Sequence, residues 1–268
     1  MAHPQIAAFA RLANGGAKAT RAIAGQNTLF TRTIHDMAYD PVRDEIVVPG
    51  FFNFAILTFR GDANGDAPPV RKIFGPSTQL KNPSVLALDP VHGEIFVPQG
   101  NRMLVFPRDA DGDVAPIRIL GGPDTGLGAS HATVDPVNDL LIVEGGNGIR
   151  IFNRTASGNT KPLRVITGPG AGDAWEMTTY PPKGLIFVVV RPGSTSEYDL
   201  SGRHDLEDYV GVWSIHDNGN VPPLLTIGGP NSLLKDARGI AVDPKNKNVY
   251  VSDKTLNAVL TFNVPEAF

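Results

Sequence analysis

One short unit returns five times along the chain: Met37-Ala38-Tyr39-Asp40-Pro41, Leu86-Ala87-Leu88-Asp89-Pro90, Ala132-Thr133-Val134-Asp135-Pro136, the degenerate Met177-Thr178-Thr179-Tyr180-Pro181, and Ile240-Ala241-Val242-Asp243-Pro244. The interval is roughly 45 to 50 residues, with one longer. A period of that length marks a propeller blade or a similar array, in which a single repeat cannot bury its own apolar face. Each unit continues in the same order. A turn leads to a second strand (Glu45–Val48, Glu94–Val97, Leu140–Val143, Leu185–Val190, Val249–Val251) and then to a third (Ala55–Phe59, Met103–Phe106, Ile149–Phe152, Val210–Ile215, Ala258–Phe262). A polar hairpin and a fourth strand follow. This is one four-stranded antiparallel blade per repeat. Dense punctuation by 29 Gly and 23 Pro, with short runs of Val, Ile, Leu and Phe between, leaves little room for helices.

The expected fold is therefore all-β: one domain, residues 1–268, a single β-propeller of about five four-stranded blades. The blades fall near 34–81, 82–128, 129–173, 174–236 and 237–268 plus 5–30, with six blades as the alternative. Ala19–Gly25 matches the fourth strands Pro116–Gly121 and Pro162–Gly168, so the N- and C-terminal strands are expected to close one blade. Ile6–Leu12 reads both as a second copy of the third strand and as a short helix. The hairpins Asp62–Asp66, Asp109–Asp113 and Asp217–Asn220 carry the Asn-Gly or Asp-Gly pair favoured where φ is positive. They lack the Gly and Glu spacing of a calcium-binding loop, so they are expected to be turns.

A formal charge of −3 from interspersed residues offers no basic stripe, which argues against nucleic acid. With no cysteine there is no disulfide, thiolate metal site or Cys nucleophile. No run approaches the ~18 apolar residues of a membrane span, and no membrane partner is expected. Met1–Ile6 lacks the features of a signal peptide. A cytoplasmic location is expected for the chain as given, a periplasmic or secreted one if a leader was removed. There is no phosphate-cradling Gly loop and no Gly-x-Ser-x-Gly elbow, so no organic cofactor is expected. A monomer or weak oligomer acting on a small molecule fits best.

Gly239-Ile240-Ala241-Val242-Asp243 and Val249-Tyr250-Val251-Ser252-Asp253 resemble NHL-type repeats. The resemblance covers nearly the whole chain and implies the propeller architecture. Relatives in architecture include gluconolactonase-like and phosphotriester hydrolases with a channel calcium, amidating lyases with a channel metal, and pure binding modules. Fold does not choose among them.

By that analogy, the position four residues before the repeat Asp opens on the functional face. It reads Asp36, Val85, His131, Glu176, Gly239, and the adjacent one His35, Ser84, Ser130, Trp175, Arg238. Polar groups in place of small residues need a ligand, a metal or a network, because burial without partners costs several kcal/mol. His35, Asp36, His131 and Glu176 are the ligand set of a divalent ion such as calcium, zinc or manganese, or a set of acid–base groups. Arg238 suits a substrate anion. Trp175, Phe51, Asn53, Gln99, Asn101, Glu144, Asn147, Arg191 and Asp253 are the expected wall of the mouth. The insertion Arg191–Tyr209, with Tyr198 and His204, is a candidate lid. The expectation is a metal-assisted hydrolase or lyase with one asymmetric site. The alternative is a noncatalytic propeller that binds a small molecule or a protein, its channel filled by a structural hydrogen-bond network.

Overall fold

The computed structural model describes residues 4–128, 131–193 and 207–268, and in them the chain is all-β, with only short 3₁₀ turns besides the strands. It is a five-bladed β-propeller. Four blades are complete antiparallel sheets of four strands. The first blade holds β3 (Ala38–Asp40), β4 (Glu45–Gly50), β5 (Ala55–Arg60) and β6 (Arg71–Phe74), after an N-terminal pair, β1 (Ile6–Ala8) and β2 (Arg21–Ile23). The second holds β7 (Ala87–Asp89), β8 (Glu94–Gln99), β9 (Arg102–Pro107) and β10 (Arg118–Gly121). The third comprises β11 (Ala132–Asp135), β12 (Leu140–Glu144), β13 (Ile149–Asn153) and β14 (Arg164–Ile166). The fourth comprises β15 (Ala174–Tyr180), β16 (Leu185–Val190), β17 (Tyr209–Ser214) and β18 (Leu225–Ile227). The fifth is the three-stranded sheet β19 (Ala237–Asp243), β20 (Asn248–Asp253) and β21 (Ala258–Asn263).

The repeat aspartate has a local structural cause. Asp40, Asp89 and Asp135 are almost fully buried, and each carboxylate accepts backbone N–H groups two and three residues on, as Asp89 does from Val91 and His92, both at 2.9 Å. These Asx turns pin the step from first to second strand. Residues Ile46–Val48, Ile95–Val97 and Leu140–Val143 are continuous buried runs because the second strand is covered on both faces.

The polar hairpins are turns, and they also act as latches. Gly65, Gly112, Gly158 and Gly219 form parallel bridges to Ile23, Ile73, Leu120 and Ile166 of the preceding fourth strand. The acidic or amide residue after the glycine then accepts a backbone N–H beyond that strand: Asn27 to Asp66 at 2.7 Å, Ser77 to Asp113 at 2.7 Å, Asp124 to Asn159 at 2.8 Å. An edge that would otherwise present unpaired groups is covered in this way. Glycine is required where the latch lands. Gly75 has φ +121°, and a Cβ there would lie 2.6 Å from the Asp113 carboxyl carbon.

Ile6–Ala8 is a strand, antiparallel to β2 in the register Ile6↔Ile23. Thr20 N donates to Ala8 O at 2.8 Å, as Val70 N does to Thr58 O at 2.7 Å, so the β1–β2 pair repeats a third-and-fourth-strand hairpin.

The chain packs as two compact units, residues 1–99 with 104–119, and residues 100–103 with 120–268. The first unit has a core of Val47, Ile56, Ile95, Val97, Leu104 and Phe106. In the second, Ile142, Ile151, Ile186, Val188 and Trp213 form one cluster, and Phe187, Val189, Val249 and Val251 another, on which the Phe268 ring stacks 5.6 Å from Phe187.

Candidate functional site

The second unit gathers most of the expected mouth residues. Two irregularities position them. β15 pairs with β16 through Ala174↔Val190 and then Glu176↔Val189, leaving Trp175 as the extra residue of a bulge. β19 pairs with β20 through Ala237↔Asp253 and then Ile240↔Val251, so that Arg238 and Gly239 face the single Ser252. Bulges re-aim side chains and are common beside functional sites. Here they bring Arg238 onto Trp175, its guanidinium carbon 4.8 Å from the ring centroid. Arg191 also lies over that ring at 4.3 Å, and the His131 imidazole is 5.1 Å away at 43°. Cation–π contacts of this kind strengthen as the cation loses water.

Arg191 is 1% exposed, and a buried guanidinium needs carboxylates. Asp236 hydrogen-bonds its Nη2, and Asp208 Oδ2 stands 3.7 Å from its Nε. Asp236 also serves Arg238, at 3.1 Å from Nε and 3.3 Å from Nη2, so one carboxylate is shared by two guanidinium groups. Asp208 Oδ2 accepts the Ala237 N–H at 2.8 Å, which anchors the start of β19. The His131 Nε2 and Glu176 Oε2 atoms stand 4.0 Å apart, with side chains 8% and 17% exposed. Glu176 Oε1 accepts its neighbour Met177 N–H at 2.9 Å.

Asp208 and Asp236 were not among the residues singled out in the sequence. The spacing Asp236-Ala237-Arg238, beside a buried-strand pattern, is the one signal that points to Asp236. Asp253 is nearly buried and accepts N–H groups from Lys235, Asp236 and Leu256 at 2.7, 2.9 and 2.9 Å. Burial pushes its carboxyl up, but these donors outweigh burial and hold it below the usual carboxylate range. Glu144 is buried, its N–H bonded to His131 O at 3.0 Å, and Asn147 Oδ1 accepts from Arg150 at 3.3 Å.

In the first unit, Asp36 Oδ2 accepts the Leu86 N–H at 2.9 Å and Oδ1 its neighbour Met37 N–H at 2.6 Å. Burial nevertheless pushes the Asp36 carboxyl up to about 6. The His35 ring lies 5.5 Å from Phe51. Asn53 Nδ2 donates to Leu29 O at 2.9 Å. Gln99 Oε1 accepts the Lys81 N–H at 2.6 Å, and the neighbouring Asn101 is an exposed turn residue. Tyr198 and His204 lie outside the described residues, as does the body of the expected lid. Among the described residues, no three His, Asp or Glu side chains converge closely enough to hold a metal ion.

No protein-family model and no curated protein matches the sequence. Solved structures match the fold. A chain of a nidogen/laminin complex superposes with a TM-score of 0.63 at 16% identity, covering 98% of this chain and 87% of that one. A chain of the Kuenenia stuttgartiensis hydrazine synthase gives 0.58 at 11% identity over 83% of this chain, which spans only 56% of that protein's length. The WD40 β-propeller domain of Doa1 gives 0.54 at 12% identity, with coverages of 91% and 72%. Likeness at these identities carries the architecture and not the chemistry: the chain is a β-propeller.

Proposed function

We propose that the chain is an NHL-type propeller that binds a small anionic organic molecule at the Trp175 cluster, with Arg238 as the anion anchor. The sharing of Asp236 between Arg191 and Arg238 carries this reading. Arg191 is buried and structural, whereas the Arg238 side chain is 16% exposed, so an incoming carboxylate or phosphate oxygen competes with Asp236 for the outer guanidinium. The Trp175 face adds apolar area for an organic body. Thermal-shift and calorimetric screening of small carboxylates and phosphate monoesters tests it. A ligand is expected to raise the melting temperature of the wild type and not of Arg238→Ala, with Arg238→Lys intermediate. Equal binding by wild type and Arg238→Ala would refute the assignment.

A second reading rests on the His131–Glu176 gap. At 4.0 Å the two groups are too far apart for a direct hydrogen bond and close enough for a substrate hydroxyl or a water to bridge them. They would then act as the acid–base pair of a hydrolase or lyase. Turnover of lactones, esters or phosphotriesters that is lost in Glu176→Gln supports this reading, and turnover unchanged in that variant refutes it.

A further inference from the structure

The turn between β4 and β5 breaks a local rule that its counterpart obeys. Both β4–β5 and β20–β21 close around four residues, in the registers Gly50↔Ala55 and Asp253↔Ala258, and the fourth turn residue is left-handed in each. At φ +50° the second turn has Asn257, a residue that tolerates this conformation. At φ +52° the first has Phe54, a bulky side chain for which the conformation is a genuine outlier. Such strain clusters at recognition sites, where something other than stability retains it.

The surroundings of Phe54 say what is recognised. Leu29, Phe52, Phe54 and Phe74 are 41%, 41%, 48% and 43% exposed, four large apolar side chains left at the surface. Beside Phe54 is a depression of about 220 Å³ lined by Leu29, Phe30, Asn53, Ala55, Lys72 and Phe74. No acidic side chain lines it. Arg32 lies 4.9 Å from the Phe52 ring centroid and Lys72 3.7 Å from that of Phe74. Neither cation is ion-paired among the described residues.

We infer that this face docks a segment of a partner protein that inserts one large apolar side chain into the depression and sets flanking carboxylates against Arg32 and Lys72. The depression is smaller than the roughly 300–1,000 Å³ of small-molecule clefts. It is also concave, which suits a protruding side chain better than the plane of a lipid surface. This inference is independent of the Trp175 cluster.

An array of random twelve-residue peptides probed with the intact protein tests it, followed by fluorescence anisotropy on the peptides selected. Peptides with Leu, Ile or Phe flanked by Asp or Glu are expected to be enriched. Their affinity should fall roughly tenfold or more in Arg32→Ala/Lys72→Ala, as loss of two charged contacts predicts. Phe54→Asn should weaken binding similarly while raising the melting temperature by roughly 2–4 °C, which separates a binding defect from misfolding. No charge preference among the selected peptides, or affinities unchanged in both variants, would overturn the inference. So would cosedimentation with phosphatidylglycerol vesicles, dependent on Phe52 and Phe54, in the absence of peptide binding.

Discussion

The innermost strands of the first three blades and those of the last two start from one repeat and end in different structures. β3, β7 and β11 are short and regular, and their repeat aspartates are consumed by neighbouring backbone N–H groups. β15 and β19 run for seven residues each, bulge near their starts, and bring Trp175 and Arg238 into contact. Polar groups in the regular strands serve the fold locally. Beside the bulged strands, Arg238 of β19 joins Arg191, Asp208 and Asp236, which flank the strand ends, in a long-range network. One residue of register separates polar groups that bond locally from polar groups that join a network.

That contrast sets the order of expected effects. Arg191→Ala should be the most damaging substitution, costing about 3–5 kcal/mol in urea unfolding, because it removes the buried cation that faces the buried Asp236 and Asp208 carboxylates. The corresponding loss on the regular side, Asp89→Ala, removes the acceptor of two turn N–H groups and should cost about 2 kcal/mol in the same titration. If the two variants prove equally unstable, the contrast between local and networked carboxylates fails. Asp113→Ala opens one latch at an exposed site, and about 1 kcal/mol or less should be lost.

Asp36 gives an effect of a different kind, one of pH. Its folded pKa of about 6 lies above the ordinary Asp value, so the folded state holds the proton more tightly than the unfolded chain. Stability from this group is present at pH 4 and declines as pH rises toward and through 6. Melting profiles of Asp36→Asn should lack that decline, so the variant gains on the wild type between pH 4 and pH 7. A variant curve parallel to that of the wild type would show that Asp36 titrates normally.

The repeat made the blades legible in the sequence, since the Asp-Pro turn, the buried second strand and the Gly-bearing hairpin each leave a fixed pattern. Trp175, His131, Glu176 and Arg238 were legible as departures from that pattern. The bulges that join Trp175 to Arg238 were not, because a bulge is set by which partner residues pair and not by the composition of one strand. Arg191 was read at the end of its strand, yet its burial depends on Asp208 and Asp236, two carboxylates just ahead of β17 and β19. The hairpins were readable as turns. Their second role, as latches, depends on a neighbour 35 to 39 residues away.

That separation has a consequence for synthesis. The acceptors on Asp66, Asp113 and Asn159 leave the ribosome 39, 36 and 35 residues after the donors on Asn27, Ser77 and Asp124. At roughly 5–20 residues per second, each outer strand waits about 2–8 s for its cover. A nascent chain therefore carries one open strand edge that moves forward with elongation. Codon-dependent pausing just after a fourth strand would lengthen the exposure of that edge to neighbouring nascent chains, and pausing after the next latch would not.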